Sequence, residues 1–243
     1  MADFINTIDL LGDEVVAGML VEDTLTEFND DTLLTIPRNP LGYSTSLVSV
    51  NLPNVTSLDG YAFYQAKGLT HLNLPALSSV QGDSQFRNTN ITTSDNINIP
   101  NLKTLTKYMF AENGMTKCVF PNVETVDEIF GSGDPYSLTL ARFDNATTLG
   151  ENVFDNKQAV REIILPKVQS IGRMAFSRMV LNSPNFVDIY LPATPPVIGA
   201  NLFYSTPPER CAIHIPPGSF ANYVNATNWS DLMDYDFEED SPY

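Results

Sequence analysis

The sequence predicts an α/β repeat solenoid, in which short parallel β-strands stack on one face and short helical or 3-10 turns lie on the other. A motif of the form Leu-x-x-Val-x-Leu-Pro-x-Val-x-x-Leu recurs along the chain, and a Phe follows each copy. The Pro and the Phe stay nine to eleven residues apart, while successive copies are 21 to 26 residues apart. Periods of about 20 to 50 residues are typical of stacked structural repeats.

Each coil is predicted from one copy of the motif, most clearly from the first. Val50 and Leu52 alternate with polar residues, which indicates a short strand with one face inward. Pro53 ends the strand because it has no N–H to donate to the ladder. Leu58 returns to the core, and Phe63 fills the far side of the coil on a short turn.

The other copies follow in the same two registers. The Pro positions are 53, 75, 100, 121, 166, 192 and 216, with Asp144 in the Pro place of the fifth copy, and the Phe positions are 63, 86, 110, 130, 154, 176 and 203. A partial copy precedes them, with Ile36 and Leu41 in the register of Leu58 and Phe63. One coil cannot bury its own apolar face, so the coils must stack.

This pattern resembles the BspA-like leucine-rich repeats and their "LPxVxxIxxxAFxxC" core. Full copies cover residues 47–203, but the Cys of that core is absent, and Ala precedes the Phe only at Ala62 and Ala175. The resemblance implies a leucine-rich-repeat fold and a role in binding. It also implies a cell-surface adhesin or host-interaction protein of bacteria.

Three segments are predicted: an N-terminal cap or attachment segment at 1–33, the solenoid at 34–209, and a C-terminal cap with an acidic tail at 210–243. In the first, Asp13–Met19 is predicted as a short helix and Leu25–Phe28 as a strand. This segment also resembles the opening of short repeat proteins of bacteriophages and prophages of gut bacteria. That resemblance implies docking onto a virion part or homo-oligomerisation, and plain capping is the alternative.

The C-terminal segment begins as a repeat and then leaves the Phe register. Ser219 is expected to cap a short helix that carries Phe220 and Tyr223. Trp229, the only Trp, is expected to close the last coil. The segment resembles the closing "VPxxSxxxYxxAxxW" of BspA-like proteins, and the tail from Asp231 is expected to be solvated or frayed.

The net charge of −16 is concentrated at the two ends of the chain. Nine acidic residues precede Arg38, the first basic residue, and six follow Arg210, the last one. Nucleic acid is therefore not expected as a partner. Asp3 stands where a signal peptide has basic residues, and no run approaches the ~20 apolar residues of a membrane span, so neither a signal peptide nor membrane insertion is expected.

Residues suited to catalysis or metal binding are sparse. Cys118 and Cys211 lie far apart and form no CxxC pair, and His71 and His214 lie six coils apart at outward strand positions. No phosphate loop, HExxH motif or nucleophile elbow is present. We expect no enzyme activity, no cofactor and no metal site.

The outward strand positions form the predicted docking face, for which an ordinary solvated sheet face is the alternative. Its candidate ligand-binding residues are His71, Asn73, Asn96, Asn98, Lys117, Arg142, Glu162, Asp188, Tyr190 and His214. The expected partner is a protein or a cell-surface glycan, and Tyr190 with His214 is the expected anchor. The leading hypothesis is a phage virion or tail-associated receptor-binding protein, located on the virion or the bacterial surface. A bacterial adhesin and a structural scaffold are the alternatives.

Overall fold

A computed structural model describes residues 25–38, 41–131 and 137–243. The expected helix Asp13–Met19 lies outside the described residues, as does most of the segment 1–33 to which attachment was assigned. In the described part of the chain, no helix has the length and apolar character needed to cross a bilayer.

Two ladders of parallel strands run along the solenoid, and the strands are numbered along the chain. The front ladder consists of β1 (Glu27–Asn29), β3 (Ser49–Asn51), β5 (His71–Asn73), β7 (Ile97–Asn98), β9 (Lys117–Val119), β11 (Leu140–Arg142), β13 (Glu162–Ile164), β15 (Val187–Tyr190), β17 (Cys211–His214) and β18 (Asp236–Glu238). The back ladder consists of β2 (Thr35–Ile36), β4 (Ser57–Leu58), β6 (Ser79–Val80), β8 (Thr104–Leu105), β10 (Thr125–Val126), β12 (Thr148–Leu149), β14 (Ser170–Ile171) and β16 (Val197–Ile198).

The front ladder confirms the predicted solenoid, with one strand per coil and every pair parallel. Its central residues point inward, and Val50, Leu72 and Ile163 are at most 2% exposed. The ladder is divided into a four-stranded sheet, β1 to β7, and a six-stranded sheet, β9 to β18. The back ladder was not anticipated: it is the edge at which Leu58 and its equivalents re-enter the core.

The predicted Phe register forms a column of rings through the core. Neighbouring rings within the column lie 5.3 to 6.3 Å apart, in the pairs Phe63–Phe86, Phe86–Phe110, Phe130–Phe154, Phe154–Phe176 and Phe176–Phe203. Phe120 extends the first stack from Phe110 at 5.6 Å. Within the two runs, Phe63 to Phe110 and Phe130 to Phe203, each ring therefore packs against its equivalent in the next coil, which buries the apolar side of those repeats.

The turns that carry the Phe differ from the short helical or 3-10 turns expected from the sequence. Around Phe176, both Met174 and Arg178 have positive φ, at 54° and 51°. The same flanking positions have positive φ in other coils: Tyr61, Gln65, Ser84, Asn88, Tyr108, Glu112, Asn152, Asn156, Asn201 and Ser205. These left-handed residues turn backbone groups along the solenoid axis, so that Phe154 N–H donates to the Ala175 carbonyl of the next coil at 2.8 Å.

The C-terminal cap is built around Trp229, as expected. Trp229 is fully buried, packs edge-on to Tyr223 at 4.9 Å, and donates its indole N–H to the Pro196 carbonyl at 2.8 Å. The expected short helix is present as α1 (Phe220–Val224). Ser219 occupies its N-cap position without a capping hydrogen bond, because its hydroxyl donates to the Pro216 carbonyl instead.

The expectation of a solvated or frayed tail from Asp231 is wrong. Strand β18 pairs in parallel with β17, and Phe237 packs against Tyr223 and Trp229. Beyond the strand, Ser241 is buried and its N–H donates to the Ile215 carbonyl at 3.1 Å. The tail is held because Phe237 packs its apolar ring against the last coil. The acidic composition of the tail gives no indication of this contact.

Candidate functional site

The strand face is the outward surface of the front ladder, and two rows of side chains run along it. Strand pairing places one row at Ser49, His71, Lys117, Leu140, Glu162, Asp188, Ala212 and Asp236. It places the other at Asn51, Asn73, Asn98, Val119, Arg142, Ile164, Tyr190, His214 and Glu238. All the candidate residues except Asn96 lie in these rows, so the alternation in the sequence located them.

Asn96 belongs to a 3-10 turn, Ser94–Asn96, that precedes β7, and not to a strand. The turn interrupts the front ladder between its two sheets, where an isolated bridge joins Thr93 to Lys117 in place of a paired strand. The buried Ser94 hydroxyl accepts the Val119 N–H at 3.0 Å, which satisfies a backbone donor that a regular strand partner would have bonded. This coil has a longer repeat step than its neighbours, and the extra chain forms the turn.

The first half of the strand face contains a continuous row of amides. Asn98 donates from Nδ2 to Asn73 Oδ1 at 2.6 Å, and Asn73 donates in the same way to Asn51 at 2.6 Å. Beside the row lies an open groove of about 340 Å³, also lined by His71 and Asp95. Each amide has two N–H donors and an oxygen with two lone pairs, so the row leaves donors and acceptors for a ligand.

The two cations in the middle of the face are paired. Lys117 contacts both carboxylate oxygens of Asp95, at 2.7 and 2.9 Å, and this hydrogen bond lowers the pKa of Asp95. Arg142 donates to Asp144 at 2.7 Å, and its guanidinium lies 5.2 Å from the Tyr243 ring centre. The middle of the face therefore presents two ion pairs.

At the C-terminal third, Tyr190 and His214 stack with ring centres 4.5 Å apart. The pair is covered, because Tyr243 packs edge-on to Tyr190 at 5.6 Å and His214 is only 7% exposed. The two predicted anchor rings are therefore in contact, and the C-terminal tail lies over them. Tyr190 remains partly exposed and its pKa is raised, first by burial and then by the charge of Asp188.

Three carboxylates surround the His214 ring. Its Nδ1 lies 2.7 Å from Asp240 and 3.8 Å from Glu238, and its Nε2 lies 3.1 Å from Asp188. Burial disfavours the charged ring, but the hydrogen bonds to Asp240 and Asp188 outweigh it, so the pKa of His214 is raised. Sequence reasoning missed Glu238, Asp240 and Tyr243. The one signal was the apolar residue Phe237 within an otherwise acidic run.

The two thiols are poorly suited to nucleophilic or metal chemistry. Cys118 and Cys211 are free and fully buried in the core. Burial raises the pKa of both thiols, so they stay protonated near neutral pH.

The match to a model of a protein family agrees with the repeat. The sequence model of the BspA-type leucine-rich repeat region matches residues 24–132 and 136–230, with six copies. A crystal structure of a leucine-rich repeat protein from Bacteroides ovatus is similar over 87% of this chain and 76% of that one, at 14% identity and a TM-score of 0.30. A search of curated protein sequences found no match.

Proposed function

The chain belongs to the family of BspA-type leucine-rich repeat proteins, and on that premise we propose that it is a non-enzymatic binding protein that recognises a partner through its strand face. The partner class is a bacterial surface glycan or protein. The finer assignment is a receptor-binding protein associated with a phage virion or tail. A cell-surface adhesin would use the same face.

The amide row is the observation that carries this proposal. Asn51, Asn73 and Asn98 are fixed relative to one another by hydrogen bonds across three coils, so little side-chain entropy is lost when a ligand binds. Sugar hydroxyls and peptide groups both donate and accept, which matches the free capacity of the amides. The groove beside the row gives a ligand a concave surface.

The test is saturable binding of the fluorescently labelled protein to a panel of intact gut bacteria. Binding should be confined to a subset of strains. Periodate treatment of the cells should abolish it for a glycan receptor, and protease treatment should abolish it for a protein receptor. Double replacement His71→Ala and Asn73→Ala should weaken binding at least tenfold, because it removes the centre of the row and one wall of the groove.

Asn182→Ala is the matched control, since Asn182 is exposed on the loop before β15, away from the strand face. It should bind as the unaltered protein does. Absence of binding to every strain, or binding that survives the double replacement, would overturn the proposal.

A further inference from the structure

A compact cluster of ligand atoms lies where the tail meets the last coil. His214 ends strand β17, Glu238 ends strand β18, and Asp240 follows two residues later. One ligand atom from each of these residues lies within 4.8 Å of the other two. The cluster therefore joins the solenoid to its tail at a single point.

The His214 ring is held in a fixed orientation. It stacks on Tyr190, and its Nε2 is directed at the carboxylate of Asp188, 3.1 Å away. A metal-bound histidine generally donates its other N–H to a carboxylate or carbonyl in this way, which leaves the opposite nitrogen unprotonated as a ligand. Here the opposite nitrogen is Nδ1, which faces Asp240 and Glu238.

We propose that His214, Glu238 and Asp240 bind a divalent transition-metal cation, with Zn²⁺ the best fit. Tetrahedral Zn²⁺ binds nitrogen and oxygen at about 2.0–2.2 Å, which separates its ligand atoms by roughly 3.4 Å. The observed separations from Nδ1, 2.7 Å to Asp240 and 3.8 Å to Glu238, bracket that value. One imidazole and two carboxylates leave a fourth position for water or a partner's ligand.

The charge around the cluster favours a cation. Asp188, Glu238 and Asp240 each have His214 as an ion-pair partner, and within the described ranges no Lys or Arg pairs with any of the three. Three carboxylates around one imidazole repel one another, and a divalent ion offsets that repulsion. Because the ligands come from β17, β18 and the tail, the ion would lock the tail onto the solenoid.

The experiment is calorimetric titration of ZnCl2 into EDTA-treated, dialysed protein at pH 7.5, with MnCl2 and CaCl2 in parallel. We expect one equivalent of Zn²⁺ to bind, Ca²⁺ to bind at least tenfold more weakly, and the melting temperature to rise with Zn²⁺. Asp240→Asn should weaken Zn²⁺ binding at least tenfold. It should melt like the unaltered protein in EDTA, because the Asn amide can still hydrogen-bond to Nδ1, through its oxygen if Nδ1 is protonated and through its N–H if it is not.

Asp234→Asn is the matched control, since Asp234 is an exposed acid that precedes β18 and lies outside the cluster. It should keep full Zn²⁺ affinity and the same thermal shift. No binding by the unaltered protein would overturn the proposal. So would weak binding of several equivalents that Asp240→Asn leaves unchanged, which is the behaviour of a diffuse acidic surface. Neither result depends on the amide row, so each is separable from failure of the proposed docking function.

Discussion

At the scale of single residues, the Phe column and the amide row differ most in what they contribute to stability. Phe176 is fully buried between Phe154, at 5.9 Å, and Phe203, at 5.3 Å. Phe176→Ala should lower the free energy of unfolding by about 3–5 kcal/mol, because it leaves a cavity that the stacked coils cannot close. Asn73→Ala should lower the free energy of unfolding by about 0.5 kcal/mol or less, because the side-chain hydrogen bonds of Asn73 are exposed to solvent. Urea unfolding of both variants measures the contrast, and equal losses would contradict the assigned register.

Asp155 is a buried carboxylate on the Phe side of the solenoid. Asp155 accepts from the Ser177 hydroxyl at 2.7 Å and from Arg178 Nε at 2.9 Å. Burial favours its neutral form, but the bonds from Arg178 and Ser177 outweigh burial and lower the pKa below its ordinary value of 3.8. The stabilisation is therefore fully present above about pH 3.8 and is lost as the pH falls through the lower folded-state pKa.

Asp155→Asn should accordingly cost about 1–2 kcal/mol at pH 7, where a charge-assisted bond is lost. The difference in stability from the unaltered protein should shrink as the pH falls from 5 towards 2. Chemical denaturation at a series of pH values measures it, with Asp231→Asn, an exposed carboxylate, as the control. A difference that stays constant down to pH 2 would show that the charge of Asp155 contributes nothing.

At the scale of the element, a column of glycines, Gly150, Gly172 and Gly199, sets how closely successive coils approach. A Cβ on Gly172 would lie 2.5 Å from the Gly150 carbonyl carbon and 2.6 Å from Glu151 N, both backbone atoms of the preceding coil. Gly172→Ala should therefore lower the unfolding free energy by about 2–3 kcal/mol through forced separation of the coils. Gly60→Ala is the control, since its nearest neighbour would be at 3.3 Å, and it should cost under about 1 kcal/mol. Thermal melts that rank the two variants in the opposite order would contradict this account.

The elements also show why part of the fold and of the candidate face could be predicted from the sequence. Strand alternation depends on a period of two, so Val50 and Leu72 identify the inward positions and their neighbours the outward ones. Asn96 was wrongly assigned to a strand because the length of a coil does not determine which part of the coil contains the extra residues. The left-handed turns were missed because Met174 and Arg178 carry no signal for positive φ, which the hydrogen bonds between coils impose.

At the scale of the whole molecule, the solenoid is closed at its C-terminal end by chain that the repeat pattern does not cover. The position of Trp229 could be predicted because a large aromatic side chain that follows the last repeat can be buried against the open end of the last coil. The pairing of β18 with β17 could not be predicted, since β18 is only three residues long, Asp236–Glu238. As a result, the predicted anchor residues Tyr190 and His214 were expected to be exposed to solvent, whereas they lie beneath the tail.

The closing strand also protects the edge of the front ladder, because an unpaired strand is a template for another chain. Deletion of residues 236–243 removes the bond from Ile215 N–H to the Glu238 carbonyl and uncovers the edge of β17. The free energy of unfolding of the shortened protein should be lower by about 2–4 kcal/mol, since the packing of Phe237 on Trp229 is lost. The shortened protein should also self-associate. Trp229 is the only tryptophan, so its fluorescence in urea reports this closure directly, and light scattering reports the self-association.

Phe237→Ala separates the two effects, because it keeps the β18 backbone while removing the packing. It should lose stability and remain monomeric, since its three ladder positions, Ala212 to His214, stay covered. If the shortened protein were instead monomeric with an unchanged urea midpoint, β18 would be an accessory to the fold. If Phe237→Ala self-associated as strongly as the deletion, side-chain packing and not the paired edge would be what keeps the molecules apart.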